Sequence, residues 1–152
     1  MILWRTSLKI RPLFHISLWL LAPLMGQDLS YYIDQAYQGN TEEIIRIFPQ
    51  LKRQFPEDGG LLYLEALINP DGDKAVELFR KVEQLYPTSP FTDDALLKVG
   101  EYLYARGLYS QAARQLKKIP VHYPRSELVY PGIRLFLNAV LATGNQDTAL
   151  FR

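Results

Sequence analysis

The sequence predicts an all-α chain, folded as a right-handed α-solenoid of stacked helix–turn–helix repeats. Three observations predict it. Residues 74–87 recur as residues 111–124 at an offset of 37, with Ala75 on Ala112, Phe79 on Leu116, Val82 on Ile119, Tyr86 on Tyr123 and Pro87 on Pro124. Those positions are spaced 4, 3 and 4 apart, which places them on one face of an α-helix. Each copy closes on an aromatic–Pro pair, because proline disfavours helical geometry in the residue before it and has no N–H to donate. No stretch alternates polar and apolar residues between hairpin turns, so strands are not expected.

The chain opens on an address. Residues 1–26 hold Arg5, Lys9 and Arg11 and no acid, then an apolar run over residues 13–25 broken by His15, Ser17 and Pro23, then Gly26-Gln27. That order is the layout of a secretory signal peptide, with the cut expected after Gly26. The run falls short of the roughly 20 residues a membrane span needs. An uncleaved N-terminal anchor and a buried core helix are the alternatives. No cysteine follows the run, so a lipid-modified N-terminus is not available. The whole chain carries 17 basic and 16 acidic side chains, and without the leader 14 face 16. Charge therefore names no partner, and a nucleic-acid binder relying on a strong phosphate-directed field is not expected.

The repeat domain spans residues 28–152, in copies over about 28–56, 57–91, 92–128 and an incomplete 129–152. Copy one reads as two helices between Leu29 and Phe55, turning at Gly39-Asn40, with Asn40 or Thr41 as cap. Its Ile44, Phe48, Leu51, Phe55 and Pro56 precede Ala75, Phe79, Val82, Tyr86 and Pro87 by 31 residues. Copy two runs from Leu61 to Tyr86 and turns at Asn69-Pro70-Asp71-Gly72. In copy three a first helix from Asp93 to Ala105 carries Ala95, Leu96, Val99, Leu103 and Tyr104 around Gly100, with Thr92 or Asp93 as cap. Gly107 permits the turn, and a second helix runs from Tyr109 to Ile119, with Ser110 as its better cap. Copy four starts at Pro131 and turns at Gly144-Asn145, where Gly144 and Ala149 match Gly107 and Ala112. Its next large apolar residue falls one place past Arg152, so the copy looks cut short.

Reactive chemistry is sparse. There is no cysteine, which excludes disulfides, thiolate metal sites and cysteine nucleophiles. His122 has no second histidine near it and reads as a surface residue. Asp71-Gly72-Asp73 resembles a fragment of a calcium loop without the later ligands or the closing Glu, and reads as a turn. No Lys-Ser or Lys-Thr follows Gly59-Gly60, so no phosphate loop is present. The pairs Glu42-Glu43 and Asp93-Asp94 sit where a helix start attracts carboxylates. The aromatic residues recur at helical spacing and read as core. No nucleophile–base pair emerges, so neither an enzyme nor a cofactor or metal site is expected.

The pattern resembles the tetratricopeptide repeat, which pairs a Leu-Gly and an aromatic in its first helix with an Ala, an aromatic or Leu and a closing Pro in its second. Copy three carries it best, through Leu96, Val99-Gly100, Leu103, Gly107, Tyr109, Ala112, Leu116, Ile119 and Pro124. Copies one and two place Tyr32 and Tyr63 where the glycine belongs. The 37-residue period and the phrase over residues 86–95 are similar to bacterial envelope repeat proteins of two groups: the outer-membrane assembly lipoprotein that works with the β-barrel insertase, and the periplasmic coordinator of the Tol–Pal system. The missing lipidation cysteine departs from the first, and the missing coiled coil from the second.

The resemblance implies a concave groove, lined by first helices, that holds a protein or peptide partner. Its positions here would be Leu64 and Leu67 from copy two, Leu97, Glu101 and Tyr104 from copy three, and Arg134, Asn138 and Leu141 from copy four. The four leucines also have the spacing of plain core, their commoner use, and Glu101 and Arg134 that of solvated charges. The resulting expectation is an exported periplasmic scaffold, peripheral to a membrane at most, acting in outer-membrane assembly or envelope maintenance. The alternative is a non-catalytic repeat segment of a larger envelope enzyme or peptidoglycan-binding protein. A purely structural dimerisation module is a third reading.

Overall fold

In a computed structural model of the chain, residues 28–144 are described. The expected leader over residues 1–26, and Asn145 and Ala149 of copy four, lie outside the described residues. The described residues form helices α1 (Leu29–Tyr37), α2 (Thr41–Gln54), α3 (Gly59–Leu67), α4 (Gly72–Leu85), α5 (Thr92–Ala105), α6 (Tyr109–Leu116), α7 (Lys118–His122) and α8 (Val129–Ala142), with no strand among them. Each helix packs mainly on the helices next to it in sequence or one repeat on, as α3 does on α4, α4 on α5, α5 on α6 and α6 on α8. This is an all-α repeat solenoid.

The aromatic–Pro pairs end the second helices in one shared geometry. Phe55, Tyr86 and Tyr123 have φ of −122, −131 and −126° and ψ of 59, 54 and 55°. Each donates its backbone N–H to the carbonyl four residues earlier, on Leu51, Val82 and Ile119. The core is the face the spacing marks. Ile44, Leu51, Phe79, Val82, Ala112, Leu116 and Ile119 are buried, as are Ala95, Leu96, Val99 and Leu103 of α5. A buried side chain of this size contributes roughly 1.5–3 kcal/mol by leaving water.

Two glycines set how closely helices approach. A Cβ on Gly100 would stand 2.6 Å from Leu116 Cγ, and one on Gly132 would stand 3.0 Å from Ile119 Cδ1. Gly100 thus lets α6 seat against α5, and Gly132 lets α8 seat against α7.

The caps differ from the expected ones. Thr92 is the first residue of α5 rather than its cap. Its buried hydroxyl donates to the carbonyls of Tyr86 (2.7 Å) and Ser89 (3.0 Å) in the preceding loop. Asn40 stands at the cap of α2, but its amide donates to Gln35 Oε1 at 2.7 Å. Ser110 caps nothing, and α6 opens at Tyr109 after Leu108. The side chains that do cap are Asp58, which accepts from the N–H of Gly60 (2.7 Å), and Asp71, which accepts from the N–H of Asp73 (3.0 Å) and Lys74 (3.2 Å). Asp58 explains why α3 begins at Gly59 and not at Leu61. The second helix of copy three is divided into α6 and α7 and continues to His122, because Pro120 has no N–H for the Leu116 carbonyl. Copy four starts at Val129, two residues before Pro131.

Candidate functional site: the cleft between α5 and α8

The first helices α5 and α8 leave a cleft of about 430 Å³ between them. Leu97, Glu101 and Tyr104 line it from α5, and Pro131, Arg134, Leu135 and Asn138 from α8. Positions 97, 101 and 104 lie on one helical stripe, and so do 131, 134, 135 and 138. The glycine-mediated approach of α8 to α7, and of α6 to α5, fixes the spacing of the two stripes.

The floor is apolar, from half-buried Leu97 and Leu135. The Tyr104 ring stands edge-on to Tyr109 with centroids 5.2 Å apart. Glu101 is held by Lys98 at 3.2 Å, one turn back on α5. Arg134 and Asn138 are exposed and make no ion pair or hydrogen bond among the described residues. The cleft thus offers an apolar strip, a guanidinium with five free donors, and a carboxamide that can both donate to and accept from a peptide backbone.

The five expected residues Leu97, Glu101, Tyr104, Arg134 and Asn138 meet in this one cleft. Leu141 lies on α8 outside the lining and is 77% exposed. Leu67 is half-buried against the core. Leu64 is 0% exposed and cannot touch a ligand, a correction to the expected groove. Its cause is register. At an offset of 36 rather than 37, the buried Gly59, Gly60, Tyr63 and Leu64 of α3 fall on the buried Ala95, Leu96, Val99 and Gly100 of α5. One residue turns a helix by about 100°, which takes Leu64 from the outer surface into the core.

Several residues beside the cleft escaped the sequence reading. The Lys98 ammonium lies 5.4 Å from the centre of the Tyr37 ring. The Tyr37 and Tyr63 hydroxyls share a short hydrogen bond. Burial pushes the Tyr63 hydroxyl far above its ordinary value, helped by the Tyr37 bond and by the Asp94 and Glu101 carboxylates. The Asp94 carboxyl is raised to about 6 by burial and then by the neighbouring Asp93 charge, with Lys98 pulling the other way. The one available signal was that Asp94, Lys98 and Glu101 are spaced 4 and 3 apart on α5.

Among the described residues no group of three or more His, Asp or Glu side chains could hold a metal ion. No described helix is long and apolar enough to cross a membrane.

Residues 94–126, most of α5 through α7, match the family model of the tetratricopeptide repeat. Copy three matches the tetratricopeptide repeat. The match spans that one copy, supports the tetratricopeptide family, and suggests a protein–protein interaction scaffold. It singles out neither envelope group. No curated protein matches the chain, and no solved structure does.

Proposed function

We propose that this chain is a non-catalytic scaffold that holds an extended segment of a partner protein in the cleft between α5 and α8. The observation that carries the reading is the cleft itself, where unpaired Arg134 and Asn138 face Tyr104 across an apolar floor. Exposed, unpaired hydrogen-bonding groups beside a half-buried aromatic are the composition of a binding surface. Arg134 would take a carboxylate of the segment, Asn138 its backbone, and Leu97 and Leu135 an apolar side chain.

The basic-then-apolar order of residues 1–26 supports export, and with it a periplasmic place of work. A role in outer-membrane assembly or envelope maintenance rests on the likeness of the 37-residue period and of residues 86–95 to envelope repeat proteins.

The test is a pull-down from envelope extract, with residues 27–152 as bait and a Tyr104→Ala/Arg134→Ala variant beside it. The reading expects a partner that the variant loses while its helical circular dichroism is unchanged. A partner captured equally by both baits sinks the cleft assignment.

A further inference from the structure

The cleft uses the first helices, but the second helix of copy three, divided into α6 and α7, carries an unbalanced charge of its own. Residues 102–126 hold no Asp or Glu, yet contain Arg106, Arg114, Lys117, Lys118 and Arg125. This 25-residue stretch supplies α6, α7 and the link between them. Its Gln115 and Lys118 bond to Glu83 of α4, and α4 adds Arg80 and Lys81 beside its own Asp73, Glu77 and Glu83.

Between α4 and α6 lies a depression of about 400 Å³. One ion pair is already made in it: Glu83 accepts from Lys118 Nζ at 2.5 Å and from Gln115 Nε2 at 3.0 Å. That consumes the only carboxylate lining the depression. Arg80 and Arg114, on its two opposite walls, are exposed and make no ion pair or hydrogen bond among the described residues. The Gln84 and Gln111 carboxamides also line it.

We propose that this depression is a second docking site, and that its occupant is an acidic segment of a partner protein, rich in Asp and Glu. Two guanidinium groups on facing helices match carboxylates spaced along an extended chain, because the planar fork pairs with a planar carboxylate through two parallel hydrogen bonds. The glutamine amides can pair with both N–H and C=O of a peptide backbone, which a lipid headgroup or free phosphate lacks. The site stands apart from the α5–α8 cleft, so a scaffold carrying both can hold two partners together.

The experiment is fluorescence anisotropy of the full chain with a fluorescein-labelled Asp/Glu-rich peptide. The expected result is binding that weakens with salt and falls about 10-fold in Arg80→Gln/Arg114→Gln. Both side chains are exposed, so that variant keeps its helical circular dichroism. Arg46→Gln/Arg53→Gln on α2 removes the same charge elsewhere and should change binding less than about twofold. Tyr104→Ala/Arg134→Ala strips the cleft, where Arg134 also attracts carboxylates, and should lower binding less than Arg80→Gln/Arg114→Gln does, which separates this site from the cleft. Four results overturn the proposal: no binding at low salt, equal losses in the Arg80/Arg114 and Arg46/Arg53 variants, a loss in the Tyr104/Arg134 variant as large as in the Arg80/Arg114 variant, or phosphatidylglycerol vesicles displacing the peptide through Arg80 and Arg114.

Discussion

The Tyr123 hydroxyl donates a hydrogen bond to the Pro87 carbonyl over 2.9 Å, joining the residue that closes copy three to the residue after the one that closes copy two. Repeat ends are therefore tied to each other as well as packed. Tyr123→Phe keeps the ring and removes the bond. It should lower stability by about 0.5–1 kcal/mol, since the bond is partly exposed to water. Urea denaturation followed by circular dichroism measures it, and an unchanged midpoint would show that water replaces the hydroxyl without loss.

Gly100→Ala should destabilise the chain despite alanine's better helix propensity. The propensity gain is about 1 kcal/mol. The added methyl meets Leu116, which is fully buried. Overpacking of this kind costs about 1–3 kcal/mol. A double variant with Leu116→Ala should show coupling that offsets part of the clash. Additive losses would place the strain elsewhere.

Thr92→Val tests the buried hydroxyl that ties α5 to the preceding loop. Valine fills the same volume but removes the hydroxyl, so the Tyr86 and Ser89 carbonyls keep only their backbone donors, the N–H groups of Ser89 and Thr92. The expected loss is about 1–2 kcal/mol, larger than for Tyr123→Phe because two bonds go and Thr92 is 0% exposed. Thermal melts of the two variants side by side settle the order.

Asp94 gives a pH dependence of definite sign. Its carboxyl is raised from 3.8 to about 6, so the folded state binds the proton more tightly than the unfolded state. Its stabilising contribution is fully present below pH 3.8 and is lost as pH rises through about 6. Asp94→Asn mimics the protonated form. The variant should melt above the parent protein at about pH 7, and the gap should close towards about pH 4. A gap that is constant over this range would mean the charge of Asp94 is not what matters.

Much of the array was legible in the sequence because proline and glycine mark backbone facts directly. Phe55, Tyr86 and Tyr123 close their helices where the following proline says they must, and Gly107 turns with φ at +73°. The caps were harder to read. Thr92 and Asn40 have hydrogen-bonding choices outside the helix start, and the choice depends on loop carbonyls and a Gln35 side chain that no local pattern reveals. In α3 almost every residue is apolar and six are buried, so no amphipathic stripe showed which way it faces. The cleft residues of α5 and α8 were implied by the resemblance to the tetratricopeptide repeat, whose first helices line the groove, and the offset of 37 carries Leu97 onto Arg134 and Glu101 onto Asn138. The unpaired Arg80 and Arg114 could not be found that way, because only the packing of α4 beside α6 shows which cations Glu83 leaves free.

The three helix ends with matching dihedrals imply a modular history. Because the main packings reach no further than the following repeat, a duplicated unit inserted after Pro124 would meet neighbours built like those it left. Lengthening the protein by whole units should then be tolerated where a few inserted residues are not, so kin of this chain should differ in copy number more readily than in the length of any one copy.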